Sequence, residues 1–371
     1  MRGHRNPQPT MLAVINLEER VPLDHPLRLI KALADQALAQ LSQDFDRMYA
    51  QIGRPSIPPE RLLKSSLLIA LFSVRSERAF CEELDYNLCF RWFLDMDLLE
   101  QSFDATVFTK NRLRLLEHQI GQKLFDEVVA DAHERGWLSD EHFTVDGSLI
   151  EAAASLKSFQ PRDSEDSPKD DDYRGNPWLD FHGQKRSNAT HQSRTDPEAK
   201  LLRKGKGKEA KLVFMAHALM ENRHGLLVDL QLTQATGTAE RDMVPVLLDE
   251  ARERRFHPQT LGADRGYDTK DCVADMRERR VTPHVAQNQS RRSSAIDGRT
   301  TRHVGYGVSQ RIRKRVEEIF GWMKTVGGFR RTRYRGLDRT GLAGYLVGTA
   351  YNLVRLSRLL ARPQTIATAA A

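Results

Sequence analysis

The sequence predicts an α/β protein with a mixed five-stranded sheet flanked by helices, preceded by an all-helical N-terminal domain. Residues up to about 120 show helical periodicity, whereas from about residue 140 short apolar runs alternate with amphipathic segments. At 371 residues the chain is long enough for two or more domains. We expect a helical domain over residues 1–135, an α/β domain over 136–335, and a C-terminal helix and tail over 336–371.

The composition is that of a globular protein with a basic balance. Hydrophobic residues make up 40% and charged residues 29%, and no apolar run is long enough to span a bilayer. The first twenty residues lack the apolar segment of a secretory signal, so a cytoplasmic protein is expected. Cys81, Cys89 and Cys272 have no CxxC spacing and are predicted to be reduced core residues. The net charge of +7 favours a polyanionic partner.

The N-terminal helices are predicted from prolines, caps and apolar faces. RPSIPPERLLKSSLLIALF places prolines at a first helical turn, followed by a broad apolar face. Ser76 is a candidate cap for the next helix, and Asp104 for the helix that begins DATVFTKNRLRLLEHQIG. Such a domain is either a helix-turn-helix-like module that recognises specific DNA or a dimerisation and packing domain, and the sequence leaves both open.

The second half predicts five strands and three helices. Two strands are expected to join at a turn at His224 and Gly225, and a long helix at about Ser309 to Thr325. The segments are, in order, strand HFTVDGSLIEAAA, strands KLVFMAHALMEN and GLLVDLQLTQA, helix ERDMVPVLLDEARER, strand TLGADRGYD, helix KDCVADMRERR, strand TPHVAQN and the long helix. This β-β-β-α-β-α-β-α order is that of a ribonuclease H-like fold. A final apolar helix, GLAGYLVGTAYNLVRLSRLL, is expected to pack on this domain.

A long interruption separates the first two strands, at about residues 157–210. It contains an acidic run over residues 170–172, followed by basic stretches such as LRKGKGKEAK. It is either a mobile loop that closes over DNA or a solvated, partly disordered insertion, and its composition favours the second. His182 and His191 are too isolated to indicate a metal site.

Three acidic residues in three different settings form the candidate active site. Asp146 ends an apolar run, Asp264 ends another, and Glu317 lies within the predicted long helix. Each has a simpler interpretation, since Asp146 and Asp264 each stand next to a turn with glycine and acidic residues are common on surfaces. Two carboxylates at strand ends and a third on a later helix can, however, converge to hold a pair of magnesium ions.

Helical geometry separates Glu317 from its neighbour Glu318. The apolar residues of this helix form a stripe that is predicted to be buried. Glu317 stands about 100° around the helix axis from the centre of that stripe, so it lies at the edge of the core, whereas Glu318 points about 100° further away. Arg313 and Lys324 share the face of Glu317. The simpler interpretation is an exposed Arg313–Glu317 pair worth well under about 1 kcal/mol. The stripe consists of Ile312, Val316, Ile319 or Phe320, and Met323.

A basic cluster surrounds Glu317. Nine Arg or Lys residues lie between positions 311 and 335, against two glutamates. A charge run is often only a solvated helix face, but this one adjoins a candidate metal ligand and so indicates contact with DNA. The candidate DNA-binding residues are Arg311, Arg313, Lys314, Arg315, Lys324, Arg330 and Arg331.

Several segments together resemble the transposases of bacterial insertion sequences, and most closely the group called insertion sequence family five. The resemblance is carried by VDGSLIEAAAS, HALMENRHGLLVDLQLTQATGTAERD, LGADRGYD and RIRKRVEEIFGWMK, and by the helical stretch from GRPSIPPERLLKSSLLIALF to LDYNLCFRWFLDMDL. It covers about residues 10–355. The family's Tyr-Arg-Glu-Lys signature falls on Gln310, Arg313, Glu317 and Lys324, so Gln replaces the usual Tyr.

The resemblance implies an enzyme that cuts the ends of an insertion sequence and joins the 3′ ends to target DNA. Asp146, Asp264 and Glu317 would form the D-D-E triad and hold two Mg²⁺ ions, with Mn²⁺ able to substitute. The implied partners are the terminal inverted repeats, the target DNA and a second copy of the chain in the DNA complex, with no membrane, in the bacterial nucleoid. Two alternatives remain: a nuclease of the same fold without strand transfer, and an inactive DNA-binding descendant.

Overall fold

A computed structural model describes residues 15–361 except 51, 54, 163–185, 206 and 291–292. The acidic run at 170–172 and His182 lie outside the described residues.

The N-terminal part of the described chain is helical, as predicted. The helices are α1 Leu17–Arg20, α2 Pro26–Gln40, α3 Ser42–Met48, α4 Pro59–Leu71, α5 Glu77–Leu84, α6 Leu88–Phe93, α7 Thr106–Glu117 and α8 Ile120–Glu134. The predicted cap of α5 is confirmed, since the Ser76 hydroxyl accepts a hydrogen bond from the Ala79 amide at 3.0 Å. The predicted cap of α7 is wrong by one residue: the cap position is Ala105, and Asp104 before it accepts a hydrogen bond from the Thr106 amide at 2.8 Å. Helix α4 begins at Pro59, where the missing amide proton costs nothing.

The strands that follow form one large sheet and a small hairpin. They are β1 His142–Glu151, β2 Phe159–Pro161, β3 His191–Ser193, β4 Lys200–Arg203, β5 Ala210–Glu221, β6 Leu226–Gln234, β7 Thr260–Ala263 and β8 Thr282–Val285. Central β1 pairs antiparallel with β5 and parallel with β7, which pairs parallel with β8. The path β6-β5-β1-β7-β8 contains the five predicted strands and is the ribonuclease H-like arrangement.

The sheet has a sixth strand that was not predicted. Strand β4 pairs with the first residues of β5, on the edge that β6 occupies further along. Strands β2 and β3 pair with each other as a separate hairpin. The expectation of a five-stranded sheet is therefore wrong by one strand, which the insertion supplies.

The described ends of the insertion form β2, β3 and β4, so the expectation of a solvated insertion is wrong for these strands, whereas residues 203–205 and 207–209 are exposed as expected. The sparse apolar residues of the insertion explain this, because they bury against the end of the sheet and form a second small core. Its buried members are Ala152, Ala154, Phe159, Ala199, Leu212 and Phe214. His191 is also buried, and its ring stacks on Phe159 at 5.5 Å between centroids.

Six helices complete the described chain: α9 Ala239–Glu253, α10 Lys270–Glu278, α11 Gly298–Thr301, α12 Val304–Ile312, α13 Val316–Thr325 and α14 Leu337–Leu360. The single long helix expected at 309–325 is two helices, which begin at Val304 and are separated by a 3₁₀ turn at Arg313–Arg315. The tighter turn changes the direction of the side chains that follow it. Among the described helices, none is long and apolar enough to cross a membrane.

Helix α14 lies at the centre of the molecule. It packs against β6 and α13 and also against α2, α4 and α8, so the N-terminal helices and the sheet share one continuous core. Close approach requires small residues: a Cβ on Gly344 would lie 2.7 Å from Leu232, and one on Gly348 would lie 3.0 Å from Leu227. The sheet is thus held between α14 and α13 on one face and α9 on the other.

Candidate active site

Asp146 and Asp264 are neighbours because of the register of two parallel strands. In the β1–β7 ladder Thr144 is opposite Gly262, so Asp146 and Asp264 each lie two residues beyond the same pair. Adjacent strands are about 4.8 Å apart. Strand β7 ends at Ala263, but β1 continues to Glu151 along β5, with one further bridge from Glu151 to Arg331. Asp146 is therefore mid-strand rather than at a strand end as expected, at the point where the parallel pairing stops.

The two aspartates also make the local contacts of turn residues. An Asp146 carboxylate oxygen accepts a hydrogen bond from the Gly147 amide at 2.9 Å, and one of Asp264 accepts from the Gly266 amide at 2.6 Å. The simpler interpretation of Asp264 as a turn residue is thus correct as far as it goes. A carboxylate has two oxygens and about four acceptor positions, so this contact leaves capacity for a metal.

Glu317 stands across the same pocket from the two aspartates. The predicted stripe is buried at Val316, Ile319 and Met323, and Glu317 itself is exposed beside it. A pocket of about 420 Å³ is lined by all three acids, together with Thr144, Val145, Arg265, Ala286, Gln287, Arg313, Lys314 and Val316. Glu318 points elsewhere and lies 3.9 Å from Arg355 of α14. The predicted trio therefore shares one cavity, and Glu318 does not line it.

Contacts beneath the pocket hold α12 and α13 against the sheet. The Ser309 hydroxyl lies 2.9 Å from the His142 ring of β1, and the Gln310 amide donates to the His284 carbonyl of β8 at 2.7 Å. Gly262 allows the helix to approach closely, since a Cβ there would lie 3.3 Å from the Ser309 hydroxyl. Gln310 thus anchors the helix to β8.

Negative charge is concentrated around Asp146. Burial in the first place, and then the charges of Asp264, Glu240 and Glu317, raise the pKa of Asp146 to about 7 against the opposing effect of the Gly147 amide. Glu240 was missed by sequence reasoning, because an acidic residue in the first turn of a helix is common. Without a cation, the carboxyl of Asp146 is costly to ionise.

Cationic side chains border the acids on the α13 side. The Lys324 ammonium donates to the Ser148 hydroxyl at 2.6 Å, and burial, then Lys204 and Arg330, lowers the pKa of Lys324 to about 8. Arg313 donates to the Gln310 side chain at 3.1 Å and lines the pocket. These residues are positioned to meet an anionic substrate.

The other predicted cationic residues fall into two groups. Arg315 donates to the Asn222 carbonyl at 2.9 Å, and Arg331 donates to the Ala152 carbonyl at 3.1 Å, so both are tied to the backbone of the sheet. Arg311 and Arg330 are exposed. The structure thus brings Arg313, Lys314 and Lys324 to the site and places the remaining four around it.

The donor set of the pocket fits a hard divalent cation. Among residues that the structure describes, no three His, Cys, Asp or Glu side chains are gathered closely enough to hold one metal ion. Magnesium in such sites is bound by one or two carboxylates plus water and substrate phosphate, so pairs of carboxylates suffice. The acidic side chains around Asp146 repel its negative charge, and a bound cation would relieve this repulsion.

Comparison with known families agrees with this geometry. Residues 138–353, more than half of the chain, match the family described as "Transposase DDE domain", and residues 15–114 match a "Transposase domain (DUF772)". The chain therefore belongs to the transposase DDE domain family. It is a DNA transposase, an enzyme of a class that acts on DNA and depends on a divalent metal.

Two solved structures show remote similarity. The piggyBac transposase synaptic complex with hairpin DNA is 10% identical, with 89% of this chain and 73% of that chain covered and a TM-score of 0.37. A pre-cleavage Mos1 transpososome is also 10% identical, with 93% and 98% covered and a TM-score of 0.21.

Proposed function

We propose that this transposase cleaves the ends of an insertion sequence of the family-five group and joins the 3′ ends to target DNA. Asp146, Asp264 and Glu317 are its catalytic carboxylates. The observation that carries this proposal is the single pocket of about 420 Å³ that all three line. These residues are far apart in the sequence and come from β1, from the end of β7 and from α13.

The metal that fits this site is Mg²⁺, as a pair of ions, with Mn²⁺ as a substitute. All three candidate ligands are carboxylates, the hard oxygen donors that both ions accept. Asp146, next to Asp264 in register and facing the pocket that Glu317 also lines, is the residue able to serve both ions. A metal pair supplies positive charge to both the attacking and the leaving oxygen of an in-line displacement.

The two reactions are phosphoryl transfers of the same type. In the first, a water oxygen attacks the scissile phosphorus and the bond to the 3′ oxygen breaks, which leaves a 3′-hydroxyl. In the second, that hydroxyl attacks a phosphorus of the target, and the target's own 3′ oxygen leaves. Arg313 and Lys324 bind phosphates beside the scissile bond, the first as a bidentate fork and the second as a point charge.

We place the N-terminal domain at residues 1–135. Its helices are proposed to recognise the inverted repeats at the element's ends. The C-terminal part is the catalytic domain over 136–335 with its tail over 336–371. Two ends must be held at once, so we propose a homodimer in the DNA complex, acting on nucleoid DNA in the bacterial cytoplasm.

The test is cleavage of a labelled end fragment in Mg²⁺ or Mn²⁺. Asp146→Ala, Asp264→Ala and Glu317→Ala should each abolish cleavage while end binding in a mobility-shift assay persists. The matched control is Glu318→Ala, which removes the same charge one residue away and should still cut. A Glu317→Ala protein that cleaves normally would contradict the assignment.

Pre-cleaved ends separate transposition from simple cleavage. A protein that joins such ends to target DNA is a transposase in the full sense, whereas one that cuts but never joins is a nuclease. A wild-type chain that binds ends but cuts with neither metal would be the inactive descendant.

A further inference from the structure

A fourth carboxylate approaches the catalytic aspartates from the opposite face of the sheet. Along β1 successive side chains point to opposite faces. Ser148 contacts Lys324 of α13, so Asp146, two residues before it, points to the same α13 face. Gly147 points the other way, towards α9. A Cβ on Gly147 would lie 2.7 Å from both Cγ and Oε1 of Glu240, in the first turn of α9.

The contact explains why glycine stands next to the catalytic aspartate. Gly147 is not among the described residues with positive φ, so its backbone does not demand glycine. Glycine is needed at position 147 for a steric reason, because any side chain there would push the Glu240 carboxylate away from β1. Glu240 is itself half-buried, and burial, followed by the charge of Asp264, raises its pKa.

A buried hydroxyl without a partner lies among the same acids. Tyr267 is 0% exposed, and its hydroxyl has no hydrogen-bond partner among the described residues. It ends the 3₁₀ turn that starts after Asp264 and packs against α9. Burial, then Glu240, Asp146 and Asp264, holds the pKa of Tyr267 well above its usual range. Buried hydroxyls are nearly always hydrogen-bonded, so this one is available to donate to a polar group bound at these carboxylates.

We propose that Glu240 is a fourth carboxylate of the cation site, which reaches Asp146 and Asp264 from the α9 face while Glu317 reaches them from the α13 face. Gly147 provides the space for Glu240, and the Tyr267 hydroxyl donates a hydrogen bond within the same site. This inference rests on the proposed function, because it assumes that Asp146 and Asp264 bind divalent cations. Mg²⁺ requires near-octahedral oxygen coordination with several retained waters, which carboxylates around it can accept from.

The experiment measures cation binding to the full chain without DNA, so it does not depend on catalysis. Mg²⁺ and Mn²⁺ are titrated calorimetrically, and bound Mn²⁺ is counted by electron paramagnetic resonance. Glu240→Gln should weaken at least one cation by about 10–100-fold, the loss usual for groups that support metal ligands. The control Asp242→Asn removes the same charge from an exposed residue in the same helical turn and should bind as wild type.

A second variant tests the same contact from the other side. Gly147→Ala places a Cβ where Glu240 lies and should weaken cation binding to a similar degree. If both variants act through one carboxylate, the loss in Gly147→Ala/Glu240→Ala should be no larger than that in Glu240→Ala alone, since the truncated side chain leaves room. Fully additive losses would show that Gly147 acts independently of Glu240 and would overturn this part of the proposal.

Asp146→Asn provides the reference. If Asp146→Asn loses cation binding but Glu240→Gln and Gly147→Ala both bind as wild type, Glu240 is not part of the site and the proposed function stands. If Asp146→Asn itself binds both cations normally, the proposed metal site fails and the role of Glu240 fails with it. Thermal unfolding of each variant in EDTA verifies that the metal-free proteins are folded.

Discussion

Removal of the Asp146 charge should make the metal-free protein more stable while it abolishes cleavage. Asp146 lies on the central strand, and burial and then Asp264, Glu240 and Glu317 raise its pKa from 3.8 to about 7. Asp146→Asn keeps the shape of the side chain and its acceptor for the Gly147 amide but removes the charge. We therefore expect a gain in the free energy of unfolding in EDTA.

The size and pH dependence of the gain follow from linkage. The folded protein binds the proton of Asp146 more tightly than the unfolded chain does, so ionisation favours unfolding. The penalty is absent below the ordinary pKa of 3.8, grows as the pH rises, and is complete above about pH 7. Because a tenfold change in the dissociation constant of an acid corresponds to about 1.4 kcal/mol, the penalty that ionised Asp146 places on the folded state amounts to roughly 2–4 kcal/mol.

The assay is urea unfolding in EDTA at several pH values between 4 and 8. The stability difference between Asp146→Asn and wild type should be small at pH 4 and largest at pH 8, and Mg²⁺ should stabilise the wild type alone. Asp242→Asn, an exposed change of the same charge, should show no such trend. Equal stability of Asp146→Asn and wild type at pH 8, or a difference independent of pH, would refute the account of Asp146 as a half-buried carboxylate among other acids.

Three further predictions concern stability and DNA contact. Arg254→Met should destabilise the protein by about 3–5 kcal/mol in thermal or urea unfolding, because Asp229 is fully buried 3.5 Å from the Arg254 guanidinium; an unchanged midpoint would contradict this pairing. Ser76→Ala should cost about 1 kcal/mol through the lost cap of α5, whereas Ser76→Asp should restore it. Lys324→Met should weaken binding of end DNA and reduce the slope of log affinity against log salt by about 1. The same salt slope in both proteins would exclude a phosphate contact by Lys324.

Local pattern was sufficient for most elements of the fold. The apolar run in HFTVDGSLIE and the helical spacing of apolar residues in α13 are each visible within one segment, so no knowledge of the rest of the chain is needed to predict them. The same logic separated Glu317 from Glu318, because one position of rotation on a helix decides which of them lines the pocket.

What depends on pairing between distant segments was not predictable in this way. Strand β4 is only four residues long, and it pairs with the part of β5 that extends beyond the end of β6 and offers a free edge. The break between α12 and α13 has no proline or glycine at it, and it directly follows the contacts of Ser309 and Gln310 with the sheet.

The sequence alone determined the order of strands and helices along the chain, the helical N-terminal part and the three candidate carboxylates, since each is signalled by residues close together in the chain. The tertiary structure decided that Asp146 lies mid-strand, that Lys324 is held by Ser148, and that Glu240 stands behind Gly147. The physical reason is that register and steric contact between elements set these distances. The residues next to a glutamate in the first turn of a helix do not indicate which residue of a distant strand will contact it.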